Sequence, residues 1–214
     1  MNDNSTATTR EVEIVDFSLK NKVALITGAS RGLGKAMAEH YLAQGHMVYG
    51  CSRSEKTIDD RNYSHFEVDI TSEDDIIGMF IALRKQAGHL DALINNAGIA
   101  SMNAFALTPL KSFRKIFDTN VQGTFLCCQK AFGLLKRSSS PRIINMTTVA
   151  VPFQLEGESI YASSKSAVEH YVFSDGLATV SVYIEEMAEG DVLEGLSSRG
   201  AVNAYGVMVD GHQI

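Results

Sequence analysis

A tyrosine and a lysine four positions apart carry the most evident chemistry in this sequence. Tyr161 and Lys165 are the first and last residues of the segment YASSK, and in a helix residues at this spacing project from one face. An isolated tyrosine has a pKa of about 10, too high for ready proton exchange at neutral pH. A nearby ammonium stabilises the phenolate and lowers that pKa. The pair could therefore exchange a proton with the oxygen of a carbonyl or an alcohol, although the same spacing also occurs by chance in many helices.

Two further polar side chains could serve the same reaction. Thr148 follows a predicted strand, and its hydroxyl could hold a substrate oxygen in line with the Tyr161 hydroxyl. Asn120 lies in a predicted helical stretch and could bind a water that links Lys165 to solvent. The alternative for Asn120 is a polar residue that bends its helix by bonding to its own backbone.

A glycine-rich segment, TGASRGLG at positions 27–34, follows the apolar run KVALI and precedes a helical pattern. Glycines allow a tight turn and a close approach to a pyrophosphate, and the following helix N-terminus offers unpaired N–H groups. An ordinary βα turn is the alternative, but the order strand, glycine loop and helix favours a phosphate site. The residues predicted to contact a dinucleotide here are Thr27, Gly28, Ser30, Arg31, Gly32, Leu33 and Gly34.

The end of the second predicted strand bears on which dinucleotide is bound. An acidic residue there would bind the adenine-ribose hydroxyls of NAD and repel a 2′-phosphate. This chain has Ser52 and Arg53 instead, with Arg31 in the glycine loop. Two guanidinium groups suit a 2′-phosphate, so the sequence predicts NADP (NADPH) as the cofactor. Solvated surface arginines are the alternative for either residue alone.

Two other strand ends offer cofactor contacts. Asp69, followed by Ile70, closes the third strand and could reach the adenine edge, or it could cap a turn or helix. The sequence NNAG follows the fourth strand, where a dinucleotide crosses the carboxyl ends of the sheet. Its predicted cofactor contacts are Asn96, Ala97 and Gly98, and Tyr161 and Lys165 complete the set.

These residues require a sheet whose strands all end on one side. Short apolar runs predict strands at 22–26, 47–50, 65–68, 92–94 and 142–145, and helical periodicity predicts helices at 34–44, 75–86, 110–117 and 121–135. Strands that alternate with helices predict an α/β fold, a doubly wound parallel sheet of the Rossmann type.

The pattern changes near residue 170. Val180, Val182 and Ile184 alternate with polar neighbours, as in a half-exposed strand, and Asp210-Gly211 is typical of a hairpin turn. We therefore expect a disordered lead-in at 1–17, a dinucleotide-binding and catalytic domain at 18–169, and a β-rich tail at 170–214. The parallel sheet would be incomplete at its C-terminal end and followed by antiparallel β structure.

The composition and charge of the chain limit the kinds of partner that it could bind. A net charge of −6 without a basic stripe disfavours nucleic acid and anionic membranes. No apolar run reaches the about 18 residues that a membrane helix needs, and the polar N-terminus has no signal-peptide core, so we expect a cytoplasmic location. Cys51, Cys127 and Cys128 lack metal-ligand spacing. The sequence therefore predicts no metal site and three buried free thiols.

As a set, these motifs resemble the short-chain dehydrogenase/reductase family over roughly residues 18–169. The TGASRGLG loop, Asp69, the NNAG motif, Asn120 and the Tyr161/Lys165 pair fall in the family's order and spacing. Within the family the chain looks most like bacterial reductases of 3-oxoacyl thioesters. The resemblance implies an NADP-dependent enzyme that reduces a small carbonyl substrate to an alcohol.

The resemblance also implies a role for each catalytic candidate. Tyr161 would be the acid/base, Lys165 would tune its pKa and bind the nicotinamide ribose, Thr148 would orient the substrate, and Asn120 would act as a relay. The family usually has serine where this chain has Thr148. The added methyl group stiffens the side chain and crowds the carbonyl, so activity could be reduced.

The family pattern stops soon after Lys165. Members continue into a sixth strand, a Pro-Gly turn over the nicotinamide, a substrate loop and a seventh strand, whereas the last proline of this chain is Pro152. Residues 202–204 faintly echo the sixth strand, but they lie too far along the chain and lack the proline. The altered C-terminal part disfavours the family's homo-oligomer and a complete substrate lobe.

Parts of the tail, at 173–177, 200–206 and 209–212, resemble the C-terminal domain of the periplasmic regulator of the sigma-E anti-sigma factor. The chain would then be a chimera of a truncated reductase and a truncated β-domain. Two alternatives to a reductase follow: a dinucleotide-binding protein without turnover, and an interaction module carried by the tail.

Overall fold

The computed structural model of the chain describes residues 21–148, 150–153 and 155–169, and the backbone of short strands between 178 and 213. The lead-in predicted at 1–17 and the turn predicted at Asp210-Gly211 lie outside the described residues. The main sheet contains six strands in the order β3-β2-β1-β4-β5-β6. These strands are β1 (Val23–Thr27), β2 (Met47–Ser52), β3 (Tyr63–Glu67), β4 (Ala92–Asn95), β5 (Arg142–Met146) and β6 (Ala178–Val182).

Among the described residues, six α-helices lie between these strands. They are α1 (Gly32–Ala43), α2 (Glu73–Gln86), α3 (Leu110–Phe117), α4 (Thr124–Leu135), α5 (Ala150–Phe153) and α6 (Ser159–Glu169). A short 3₁₀ helix covers Phe105–Leu107, and a π-helical stretch at Asp118–Gly123 joins α3 to α4. Every pair of neighbouring strands in the main sheet is parallel. The predicted doubly wound α/β fold is confirmed.

Two apolar layers pack on opposite faces of the sheet. Leu25 and Leu93 belong to a buried cluster that also contains side chains of α2 and α4. Their neighbours in sequence, Ile26 and Ile94, belong to a second cluster that includes residues of α1. Successive strand residues point to opposite faces, so strands buried on both sides read as continuous apolar runs. This is why VALIT and ALIN predict central strands.

The carboxyl ends of the strands form a crevice where the strand order reverses. β1 has β2 on one side and β4 on the other, so the chain winds outward in both directions from β1. Ligands of open α/β sheets bind at this switch point. The glycine loop follows β1 at the crevice.

The π-helical stretch has a steric reason at its last residue. A Cβ built on Gly123 would lie 2.9 Å from both the Cδ1 atom and the carbonyl oxygen of Ile70. The helix therefore approaches the end of the third βα unit more closely than any other residue type allows. This contact presses the segment that carries Asn120 against the carboxyl edge of the sheet.

The strand β6 corrects the expected organisation of the tail. Ala178–Val182 pairs in parallel with β5, with Val180 opposite Ile144, so the parallel sheet continues past the predicted boundary at residue 170. Alternating apolar and polar residues identify a strand, but they do not determine which edge it joins. The sixth strand is therefore this segment.

The remaining tail strands are short and pair antiparallel, as predicted. Gly195–Arg199 pairs with Val202–Gly206, which confirms that residues 202–204 are not the sixth strand. Met208–Val209 pairs with His212–Gln213, which pairs in turn with Glu185–Glu186. Within the part of the chain that the structure describes, no helix is long and apolar enough to cross a membrane.

Candidate functional site

The glycine loop after β1 is shaped to receive an anion. Gly28 has a φ of 71°, in the left-handed region, and its N–H donates to the Cys51 carbonyl at 2.8 Å. A Cβ on Gly34 would collide with the carbonyl oxygen of Gly28, so only glycine fits there. Arg31 precedes α1 and provides no side-chain cap, and the first turn of α1 has no acidic residue. The open N–H groups and positive end of the helix suit a pyrophosphate.

The NNAG segment after β4 is bonded directly to the glycine loop. The Asn96 amide donates to the carbonyls of Thr27 at 2.9 Å and Gly28 at 3.3 Å. The Ala97 N–H donates to the Thr27 hydroxyl at 2.9 Å. The two loops that would border a dinucleotide therefore hold each other in place.

The first asparagine of NNAG lies in the core instead of the crevice. Asn95 is buried, and its amide donates to the Asn145 side chain at 2.9 Å and to the Cys128 sulfur at 3.2 Å. These contacts tie β4 to β5 and α4. The motif thus divides into a structural residue and three residues at the crevice.

The predicted adenosine side lies at the ends of β2 and β3. The Asp69 carboxylate accepts hydrogen bonds from the Thr71 N–H at 2.9 Å and the Thr71 hydroxyl at 2.8 Å. These bonds, aided by the charge of Arg53, hold the pKa of Asp69 below its usual range against the effect of burial. Asp69 is therefore engaged in a turn, as its alternative interpretation requires, and it also borders a cavity. This cavity, of about 440 Å³, is lined by Arg53, Asp69, Thr71, Leu110, Lys111, Arg114, Lys115, Asp118 and Thr119.

The other adenosine-side candidates are placed differently from one another. Arg31 and Arg53 are exposed at the surface. The Ser52 hydroxyl lies 3.0 Å from the His65 ring and 2.9 Å from the Ser54 carbonyl. Ile70 is buried in the apolar core next to Gly123. The arginines are thus free to meet an anion, whereas Ser52 and Ile70 are held by the protein.

Tyr161 and Thr148 meet at the carboxyl end of β5. Tyr161 lies in the first turn of α6, is partly buried, and is hydrogen-bonded to the Thr148 side chain. Thr148 is buried, and its hydroxyl accepts from the Ala150 N–H at 3.2 Å. Burial raises the pKa of Tyr161 above its ordinary value, while the Thr148 bond opposes that shift and the charge of Glu158 adds to it. Within the protein alone, this direction is opposite to the lowering predicted from the Lys165 ammonium, because desolvation outweighs the Thr148 hydrogen bond.

Lys165 lies one helical turn further along α6. Its side chain is 5% exposed, and its amine donates to the Met146 carbonyl at 2.7 Å. Burial lowers the pKa of Lys165 to about 8. A Cβ on Gly98 would come within 3.3 Å of this amine, so the third crevice residue of NNAG leaves it room.

Asn120 is bonded to a neighbouring loop and not to its own helix. Its carboxamide oxygen accepts from the Ile99 N–H at 2.9 Å, and its nitrogen donates to the Ile99 carbonyl at 2.9 Å and to the Ser164 hydroxyl at 3.0 Å. Ser164 in turn donates to the Tyr161 carbonyl at 2.7 Å. Asn120 therefore connects the π-helical stretch, the NNAG loop and α6.

Sequence reasoning missed Ser164 as a member of this network. It is fully buried and stands inside the YASSK segment, one residue before Lys165. A serine three residues after Tyr161 and directly before Lys165 would not be singled out by spacing alone. Its position between Asn120 and Tyr161 becomes evident only when the loops are packed together.

The structure thus gathers the predicted residues into two adjoining groups along the carboxyl edge of the sheet. One group contains Gly98, Asn120, Thr148, Tyr161 and Lys165. The other surrounds the glycine loop and the ends of β2 and β3.

Cys51, Cys127 and Cys128 are buried free thiols, as predicted. Among the described residues no cluster of His, Cys, Asp or Glu could hold a metal ion.

Comparisons of sequence and of structure with known proteins point to the same family. The profile described as short chain dehydrogenase matches residues 22–192. The chain is 32% identical to 2-(R)-hydroxypropyl-CoM dehydrogenase of Xanthobacter autotrophicus over 69% of this chain and 64% of that protein. It is 30% identical to 3-oxoacyl-(acyl-carrier-protein) reductase FabG of Salmonella typhimurium over 85% of this chain and 79% of that protein. The solved structure of ElxO with NADP bound superposes with a TM-score of 0.65 at 28% identity, covering 69% of this chain and 64% of that one.

These comparisons also bear on the extent of the chain. It spans less than two thirds of the length of the Xanthobacter enzyme and of ElxO. The family profile extends to residue 192, well into the segment predicted to resemble the sigma-E regulator, and that second resemblance is not supported. The profile match covers most of the sequence and includes the glycine loop, the NNAG segment and the Tyr161/Lys165 pair, and the chain belongs to the short-chain dehydrogenase family.

Proposed function

We propose that this chain binds NADPH and reduces a carbonyl group of a small molecule to an alcohol. The observation that carries the proposal is the hydrogen-bonded pair of Tyr161 and Thr148 beside the buried amine of Lys165. A proton donor, a second hydroxyl and a cation thus meet at the carboxyl edge of a doubly wound sheet. The relatives that act on hydroxyl or 3-oxoacyl compounds support the same class of reaction.

The glycine loop would hold the pyrophosphate. Only glycine fits at position 34, and the first turn of α1 has no acidic residue, so the cradle fits an anionic dinucleotide. Arg31 and Arg53 would meet the 2′-phosphate, and Lys165 would bind the nicotinamide ribose. When bound, NADPH supplies a hydride to the carbonyl carbon.

Tyr161 would deliver the proton to the carbonyl oxygen. Because burial raises its pKa, the neutral hydroxyl is its stable form, and a neutral hydroxyl is a proton donor. Carbonyl reduction requires this protonated form of Tyr161. Thr148 would hold the same oxygen, and the ammonium of Lys165 would stabilise the phenolate that forms.

The surroundings of Tyr161 and Thr148 favour a substrate with an apolar part. The Asn103 N–H donates to the Gly157 carbonyl at 2.9 Å, which joins the loop after NNAG to the segment leading into α6. Large apolar side chains on these two segments face solvent, among them Met102 and Phe105, each 73% exposed, and Leu155 at 45%. Exposed apolar side chains beside a crevice are typical of ligand contacts. A 3-oxoacyl thioester or a related ketone is therefore the proposed substrate class.

The decisive experiment measures NADPH oxidation with a panel of acetoacetyl thioesters and small ketones, together with NADPH binding by fluorescence. We expect turnover with at least one 3-oxoacyl thioester. NADPH binding without oxidation of any panel member would favour the alternative, a dinucleotide-binding protein without turnover. A chain that binds no nicotinamide dinucleotide would overturn the proposal.

A further inference from the structure

We propose that residues 52–57 form a preorganised clamp for an adenosine 2′-phosphate, held at one end by His65 and at the other by Thr57. We call this segment the phosphate strap. It carries Arg53, and it rests on the proposed use of NADPH. His65 and Thr57 are positioning residues in this proposal, because they act through the strap and do not touch the ligand.

The N-terminal end of the strap is a closed network of hydrogen bonds. The Ser52 hydroxyl donates to the Ser54 carbonyl at 2.9 Å, and the Ser54 N–H points back to that hydroxyl at 3.3 Å. The Nε2 atom of His65 lies 3.0 Å from both the Ser52 hydroxyl and the Ser54 carbonyl. A single ring nitrogen thus bridges the two residues that flank Arg53.

Tyr63 orients the histidine ring. The Ser54 carbonyl only accepts hydrogen bonds, so Nε2 of His65 carries the proton and donates to it. The Nδ1 atom then accepts from the Tyr63 hydroxyl, 2.7 Å away. Tyr63 is 4% exposed, and burial raises its pKa to about 12, so its hydroxyl keeps the proton that it donates.

Gly50 provides the space for the Tyr63 hydroxyl that orients His65. A Cβ on Gly50 would collide with the Tyr63 hydroxyl. The hydroxyl therefore occupies a space that exists only because β2 has a glycine at that position. A tyrosine placed this closely against a central strand is a built feature of the fold.

The C-terminal end of the strap is tied to the glycine loop. The Thr57 hydroxyl donates to the Ser30 carbonyl at 2.9 Å, and the next residue, Ile58, is buried in the core beside α1. Ser30 directly precedes Arg31. The two arginines proposed to meet the 2′-phosphate are thus carried on backbone segments that are bonded to each other.

We expect the held strap to make the chain prefer adenosine ligands that carry a 2′-phosphate. A phosphate is bound best by charge-assisted donors, and donors already held in place lose less entropy on binding. Loosening either end of the strap should weaken binding of a ligand with a 2′-phosphate and leave the rest of the adenosine site unchanged.

The test compares adenosine 2′,5′-bisphosphate with 5′-AMP by calorimetry on the full chain. Three variants loosen the strap: Tyr63→Phe, His65→Ala and Thr57→Val. His40→Ala on the outer side of α1 is the matched control, and His65→Gln restores a donor near the position of Nε2. We expect the unmodified chain to prefer the bisphosphate, and each loosening variant to reduce that preference by about two- to tenfold, the effect of one net hydrogen bond.

The ratio of the two affinities separates specificity from stability. Equal losses for both ligands in His65→Ala and Thr57→Val would show a merely structural role and overturn the inference. An unchanged ratio, or no preference in the unmodified chain, would also overturn it. His65→Gln should recover a preference that His65→Ala loses, and His40→Ala should keep it.

The inference and the proposed function fail separately. If no carbonyl compound is reduced but the loosening variants lower the ratio of the bisphosphate and 5′-AMP affinities, the strap is supported and the reductase proposal is wrong. If NADPH is oxidised and that ratio of affinities does not change in the variants, the reductase proposal is supported and the strap is wrong.

Discussion

The amine of Lys165 donates to the main-chain carbonyl of Met146, the last residue of β5, at 2.7 Å. The bond anchors α6 to the carboxyl edge of the sheet, where Tyr161 and Thr148 also meet. Lys165 is almost fully buried, and burial lowers its pKa to about 8. A buried cation stabilises a developing anion strongly, but it costs folding free energy.

Lys165 should make the stability of the fold depend on pH. Its pKa falls from an ordinary 10.5 to about 8 on folding, so the unfolded chain binds this proton more tightly. The Lys165 contribution is therefore unfavourable below about pH 8 and is relieved as the pH rises towards 10.5. We expect Lys165→Met to raise the free energy of unfolding near pH 7 by up to about 3 kcal/mol and to remove this part of the pH dependence.

Urea denaturation of both chains between pH 7 and 9 measures this effect. The three buried thiols have raised pKa values and destabilise the fold in alkali, but they do so equally in both chains. The difference between the chains thus isolates Lys165. A constant difference across this pH range would contradict the prediction.

Tyr161→Phe should abolish carbonyl reduction and leave NADPH affinity within about twofold. The substitution removes the proton donor but keeps the ring, and a positioned acid contributes about 10²–10⁴ to the rate. Lys165→Met should lower both the rate and the affinity, since its ammonium serves both. Steady-state rates and fluorescence titrations distinguish the two patterns. A fully active Tyr161→Phe variant would mean that the acid has been assigned to the wrong residue.

Thr148 should affect both the rate and its pH profile. Thr148→Val keeps the shape of the side chain but removes the hydrogen bond that lowers the pKa of Tyr161. We expect the rate to fall about tenfold or more. The part of the alkaline limb that reports Tyr161, which lies above the part that reports Lys165 near pH 8, should move to higher pH. Thr148→Ser keeps the hydroxyl and removes the methyl group, so its rate should equal or exceed that of the unmodified chain. A Thr148→Val profile superimposable on the original would exclude this role.

Arg53→Ala should narrow the difference in affinity between NADPH and NADH. Arg53 is exposed, and its loss removes one charge-assisted contact to the 2′-phosphate, which corresponds to about tenfold in the dissociation constant of NADPH. NADH affinity should stay within about twofold. Equal dissociation constants for the two cofactors in the unmodified chain would rule out the preference itself.

Gly34→Ala and Gly133→Ala form a matched pair of helical substitutions. A Cβ at position 34 would collide with the Gly28 carbonyl, whereas a Cβ at position 133 in α4 meets nothing within 4 Å. Gly34→Ala should therefore distort the phosphate cradle and abolish dinucleotide binding. Gly133→Ala should bind normally and gain about 0.5–1 kcal/mol of stability from helix propensity. Normal NADPH binding by Gly34→Ala would show that the loop is not the pyrophosphate site.

Local sequence determines much of this protein. The apolar runs at Val23–Thr27 and Ala92–Asn95 and the periodicity of α2 identify the core elements, because a side chain's face follows from its position in a strand or helix. The glycine at position 34 and the spacing of Tyr161 and Lys165 likewise depend on a few neighbouring residues. These features predict the doubly wound sheet and the two groups of site residues along its edge.

Tertiary packing decided the rest. The raised pKa of Tyr161 comes from burial, which no spacing of residues reveals. Asn120 bonds to Ile99 and Ser164, which are distant in sequence, although its own helix offered nearer partners. β6 joins β5 in parallel, because an alternating pattern identifies a strand while the free edge of a sheet determines its partner and direction.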